Sequence, residues 1–120
     1  MLKRLLVACL ALGLFSPAFG QVISAATTNG SVTIAAGNTF QSVLAALGAP
    51  PAMRRSLTIQ NNNISDNCWL FIGANASATK GTSILLTPGQ SYTRYYPYIP
   101  SDNISATCAT TNDTLYIDTQ

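Results

Sequence analysis

The densest group of chemically capable side chains in this chain is Tyr92, Arg94, Tyr95, Tyr96 and Tyr98, interrupted by Pro97 and followed by Pro100. A phenol carries an apolar body with a polar tip, and a guanidinium stacks on aromatic faces while donating in a fixed fork. Such a run suits contact rather than bond-making. Period-two alternation puts Tyr92, Arg94 and Tyr96 on one face of an extended segment and Tyr95 on the other, so part of the run must serve the core. The two prolines prevent 96–99 from pairing fully as a central strand, which places Tyr98 at an edge or rim. Exposed Tyr and Arg are enriched where proteins touch partners, so Tyr92, Arg94, Tyr96 and Tyr98 are the candidate binding residues.

Bond-making chemistry finds little support. General acid-base work at neutral pH recruits His or a pair of carboxylates with different pKa values, and this chain has no His and no Glu. Asp66, Asp102 and Asp113 sit beside Asn in turn-like contexts, where a short side chain bonds nearby backbone. Calcium would need oxygen ligands gathered from separate turns, since no spaced calcium loop is present, and no metal or other cofactor is expected. Ser77-Ala78-Thr79-Lys80 fits S-x-x-K and Ser101-Asp102-Asn103 fits S-D-N, two motifs of serine β-lactamases and penicillin-binding proteins. The third motif, K-T-G, is missing, and S-x-x-K lies here in the small-residue stretch ANASATKGTS rather than opening a buried helix. Both matches read as chance in a chain rich in Ser and Asn, and no catalytic residue or enzymatic activity is expected.

The address of the chain bears on its remaining chemistry. Lys3 and Arg4, the apolar run 5–15 and Ala18-Phe19-Gly20 form the charged, apolar and small-x-small parts of an export signal over residues 1–20. The apolar run is shorter than the roughly 20 residues that span a bilayer, so stable membrane insertion is not expected. Leu6-Val7-Ala8-Cys9 resembles a lipoprotein box, but only four apolar residues would precede that cut. Cleavage after Gly20 leaves Arg54, Arg55, Lys80 and Arg94 against Asp66, Asp102, Asp113 and Asp118. A neutral surface with one pair of adjacent arginines lacks the phosphate-neutralising footprint of a nucleic-acid binder. The destination is periplasmic or extracellular, where disulfides persist, and Cys68 and Cys108 are the cysteines left to form one. Asn-x-Ser/Thr occurs at Asn29, Asn63, Asn75, Asn103 and Asn112; with a bacterial-looking signal these mark turns rather than glycan acceptors.

These residues need a frame, and the patterning supplies one. After an N-terminal extension over 21–30, residues 31–120 read as a single all-β domain, a small antiparallel β-sandwich of about seven strands. Val32 and Ile34, Leu57 and Ile59, and Leu115 and Ile117 alternate with polar neighbours, giving each strand one apolar face. CWLFIG, 68–73, is apolar on both faces and belongs in the middle of a sheet, with Trp69 in the core. Further strands are expected at 82–86, 90–96 and 103–108, with Thr87-Pro88-Gly89-Gln90 as a type II turn. Cys68 shares a face with Leu70 and Ile72, and Cys108 with Ala106 and Ile104, so both cysteines point inward. Helical spacing of Phe40, Val43, Leu44 and Leu47, with Asn38 as cap and Gln41 completing a capping box, predicts one short helix near 39–47; an extended edge segment would use the same apolar residues.

The stretch RRSLTIQN from Arg54 to Asn61, then CWLFIG, then GTSILLTPGQSY and a final TLYID, resembles small phage-type virion accessory β-sandwich proteins, which carry an R-x-L-x-I-Q-N strand and a later L-x-P-G-x turn. The resemblance spans about 31–119. It implies a non-enzymatic structural or attachment role in an oligomer. Together with the export signal, it gives as first expectation an exported structural or binding module that meets itself or a surface protein. The alternative is a secreted carbohydrate-binding or adhesion domain that holds a glycan with the same tyrosines.

Overall fold

The computed structural model describes residues 27–45 and 54–120. The export signal and the first residues of the extension lie outside them. Eight strands run in chain order: β1 Thr28–Thr33, β2 Gln41–Ser42, β3 Ser56–Asn61, β4 Cys68–Ile72, β5 Ile84–Leu86, β6 Ser91–Tyr95, β7 Ile104–Cys108 and β8 Thr114–Thr119. They form two four-stranded antiparallel sheets, ordered β1-β8-β3-β6 and β2-β7-β4-β5. The chain is all-β, a small β-sandwich.

The pairing has a simple origin. β1 pairs with β8, β2 with β7, β3 with β6 and β4 with β5, so the whole domain is one long hairpin folded about the β4–β5 connection. Rolling that hairpin adds the contacts β3–β8 and β4–β7 and divides the pairs between two sheets. This is the jelly-roll arrangement, with β1 and β6 at the edges of one sheet and β2 and β5 at the edges of the other. Its driving force is the alternation along each strand. Val32 and Ile34, Leu57 and Ile59, Leu70, Ile104, Leu115 and Ile117 all turn inward and are buried, each worth about 1.5–3 kcal/mol of transfer free energy.

The inward parity of the cysteines holds, and Cys68 faces Cys108 directly in the β4–β7 register with their Cα atoms 3.9 Å apart. The disulfide joins them, fully buried, across a pairing that exists only once the hairpin has rolled. The type II turn also holds: Gln90 N donates to Thr87 O at 2.9 Å, and Gly89 takes the φ of 76° that this turn requires at its third residue.

Three expectations are corrected. The helix near 39–47 does not form over its described part, because Gln41–Ser42 is a strand paired with Ala106 and Ser105. Asn38 adopts φ 61° and donates from Nδ2 to Ala109 O instead of capping a helix. Gln41 turns back to bridge Ala35 N and Thr33 O at 2.8 and 2.9 Å, which an i to i+3 capping box cannot accommodate. Residues 46 and 47 lie outside the described residues. The strand expected at 82–86 starts at Ile84, since Lys80–Thr82 is a turn of 3-10 helix. Trp69 is not core: it stands half-buried on the outward face of β4, with the Lys80 ammonium 3.9 Å from its ring centroid.

Candidate functional site

Antiparallel rolling sends the connections to two opposite ends of the sandwich. One end carries the β1–β2, β3–β4, β5–β6 and β7–β8 loops, which may be called the Asn end for its residues Asn38, Asn62, Asn63, Asn67 and Asn112. The other carries the β4–β5 and β6–β7 connections, with the end of β2 and the starts of β1 and β3, and it holds the tyrosine run. Six residues of β3 at about 3.3 Å each separate the ends by roughly 20 Å.

At the tyrosine end, β6 is the edge strand of its sheet and pairs only with β3, Tyr92 opposite Ile59, Arg94 opposite Leu57 and Tyr95 opposite Ser56. Tyr92 points inward and is buried at 6% exposure, so it is part of the core. Arg94 shares that inward parity but lies at the open edge, where its guanidinium stacks 4.6 Å from the Tyr92 ring centroid and Nη1 donates to Thr93 O at 3.0 Å. An arginine held this way blunts the edge against strand pairing while keeping its charge in water. β6 stops at Tyr95, as Pro97 demands. Tyr95, Tyr96 and Tyr98 are then 67%, 76% and 81% exposed.

These exposed rings stand on a held backbone. Tyr98 N donates to Tyr95 O at 2.9 Å, closing a turn around the cis Tyr96–Pro97 bond, and Tyr96 N donates to Arg55 O at 2.9 Å. From the segment just before β3, Arg54 reaches across with Nη1 to Pro100 O at 3.3 Å. Arg54 is buried, which pushes its guanidinium below the ordinary arginine value by desolvation, yet an arginine remains cationic at neutral pH. Ile99 packs against the core beneath the turn. The result is three exposed phenols beside the exposed Arg55 and Arg94. Such a surface can stack, donate and accept hydrogen bonds and attract a carboxylate.

The candidate binding residues therefore divide. Arg94, Tyr96 and Tyr98 are exposed, on β6 and the turn that follows it, whereas Tyr92 is buried with Arg94 stacked on its ring. The serine and lysine of the S-x-x-K match separate chemically, because the Lys80 ammonium is committed to the Trp69 ring and to Asn38 Oδ1. In the S-D-N match Asn103 accepts from Ser42 Oγ at 2.8 Å and Asp102 is exposed. Asp113 behaves as a turn former, accepting from Thr110 N at 3.1 Å.

The Asn end holds a residue the sequence reading missed. Ile64, at the tip of the β3–β4 loop, is 98% exposed. Its loop is pinned on both sides: Asn61, fully buried, donates from Nδ2 to Asp66 O and Leu86 O at 2.8 Å each. The same amide accepts from Asn63 N and Asn63 Nδ2 at 3.0 and 2.8 Å. Thr114 N donates to Asn63 Oδ1 at 2.9 Å, and Ala109 N to Asn67 O at 2.9 Å. A lone isoleucine inside the polar stretch NNNISDN was the available signal, since nothing in a solvated turn requires it. Comparison with protein-family models, with curated proteins and with solved structures finds no match to the chain.

Proposed function

We propose that this chain is an exported, non-enzymatic structural or binding module whose contact surface is the tyrosine end. The observation that carries the reading is the exposure of Tyr95, Tyr96 and Tyr98 on a turn whose backbone is already fixed by Arg54 and Arg55. Large rings on an ordered backbone bury much area without a large ordering cost, which is how contact residues gain affinity. Export is supported by the order of charge, apolar run and small-x-small site in residues 1–20 and by the disulfide. Among the described residues no helix is long and apolar enough to cross a membrane. Kinship with virion accessory proteins belongs to the same proposal and rests on the R-x-L-x-I-Q-N strand and the Pro-Gly turn. Jelly-roll frames recur in capsid and lectin domains alike, so the frame does not choose between assembly and glycan binding.

One observation favours the glycan alternative. Tyr95 faces outward beside a polar row of register partners, Thr93, Thr58 and Asp118, where the two threonine hydroxyls lie 3.2 Å apart. Sedimentation of the exported protein, with and without added neutral oligosaccharide, separates the two readings. The assembly reading expects concentration-dependent association lost in Tyr96→Ala/Tyr98→Ala. A monomer at all concentrations whose tyrosine fluorescence responds to saccharide overturns it in favour of the alternative.

A further inference from the structure

The two ends of the sandwich differ in charge as well as in order. Exposed Arg55 and Arg94 flank the tyrosines, and the buried Arg54 adds a third cation, against Asp102 in the β6–β7 loop and the half-buried Asp118 in the row beside Tyr95. The loops of the Asn end contain Asp66 and Asp113 and no Lys or Arg, and Lys80, from the β4–β5 connection, brings one cation to that end by donating to Asn38 Oδ1. Asp113 is buried and engaged with Thr110 N, which leaves half-buried Asp66 as the acidic group nearest the tip. Two residues before it stands Ile64 with 98% of its surface in water.

We propose that Ile64 and Asp66 of one copy dock on the tyrosine end of a second copy, so that the chain assembles head to tail. This rests on the reading of the tyrosine end as a contact surface and names its partner. Three features select a second copy. The charges are complementary, an arginine-flanked patch against an acidic loop without cations. The side chains are chemically suited, an exposed aliphatic group against exposed phenol rings, and tyrosines are among the residues that dominate contact energies. Both partners are ordered before they meet, Ile64 through the Asn61 and Asn63 amides and the tyrosines through Arg54 and Arg55, so little freedom is lost on docking. Because the patches lie at opposite ends, the contact is heterologous, and it propagates unless the rotation between copies closes a ring.

The edge strand β6 does not offer a competing route. Arg94 stands at that edge with its charge outward and Pro97 follows the strand directly, features that discourage strand-to-strand pairing between copies.

The test uses the exported chain and two variants that alter exposed groups, Ile64→Asp and Tyr96→Ala/Tyr98→Ala, each first checked for an unchanged melting temperature. Sedimentation velocity over a concentration series should show wild-type species that grow beyond dimers, and each variant alone should need about tenfold or more higher concentration to associate. Mixed in equal amounts, the variants retain one good end each and should form heterodimers but nothing larger. Association that survives Ile64→Asp but fails in the tyrosine variant overturns the head-to-tail contact while leaving the tyrosine surface in place. Association untouched in the tyrosine variant overturns both. A wild-type chain that stays monomeric throughout also overturns the proposal.

Discussion

The Asn end and the tyrosine end are built from the same eight strands but hold themselves together differently. At the Asn end, side-chain amides stand in for missing backbone partners: Asn61 and Asn63 satisfy the β3–β4 loop, and Asn63 Nδ2 lies 3.4 Å from Cys68 Sγ. The β1–β2 and β7–β8 loops press together so closely that a Cβ on Gly37 would come within 2.9 Å of Ala109 O. At the tyrosine end a few backbone hydrogen bonds and one buried arginine fix a single turn, and the large apolar groups face water. Buried amides that are fully satisfied rigidify a region, whereas exposed rings contribute nothing to the isolated fold and become useful only on contact. The comparison teaches that the buried groups that hold each end, the Asn61 amide and the Arg54 guanidinium, are separate from the exposed groups proposed for contact, Ile64 and the tyrosines, and substitutions should separate accordingly.

The largest effect is expected where the rolled hairpin is tied. Replacing Cys68 and Cys108 together by Ala frees a loop with a sequence separation of 40 and should cost about 2–4 kcal/mol, read as a lower urea midpoint. An unchanged midpoint would show that the bridge does not restrain the unfolded chain. Next comes Asn61→Ala, which strips partners from Asp66 O, Leu86 O and Asn63 N in a buried site; a loss of about 2–3 kcal/mol is expected. Equal stability in that variant would mean that the amide network is dispensable and that the contrast between the ends is false.

Smaller effects sharpen the contrast from the other side. Tyr96→Ala and Tyr98→Ala should each weaken association by about 1–2 kcal/mol and leave the melting temperature within a degree or two, since both rings are already in water. Lys80→Ala should matter least, about 0.5–1 kcal/mol, because it removes one exposed contact with Trp69 and one hydrogen bond to Asn38. Tryptophan emission should shift in that variant as the ring on β4 loses its cover, and an unshifted spectrum would place Lys80 elsewhere.

What the sequence discloses follows the range of the interactions involved. Alternation along a strand is local, so the inward faces of Leu57 and Ile59, of Leu115 and Ile117, and of both cysteines are legible from parity. Which strand lies beside which is decided by the rolling of the whole hairpin, and the short β2 is invisible because the flanking Phe40, Val43 and Leu44 carry helical spacing. Gln41 and Asn38 find partners six and 71 residues away, a choice no capping rule anticipates. Trp69 looks like core because its strand is apolar on both faces, yet the outward face is covered by the turns after β4 and by Lys80 rather than by a second layer. In the candidate site, the prolines disclose that the tyrosines leave the sheet, but not that Tyr92 stays behind. Asn61 has the composition of a turn former and is instead a fully buried hub, because its side-chain partners come both from the β3–β4 loop and from Leu86 at the end of β5.

The most direct test of the separation is a paired measurement on one variant, Tyr96→Ala/Tyr98→Ala in the disulfide-bonded chain, following thermal unfolding and sedimentation on the same sample. The expected result is a wild-type melting temperature together with lost association. A melting temperature lowered by several degrees with association intact would make those tyrosines part of the fold and contradict the account.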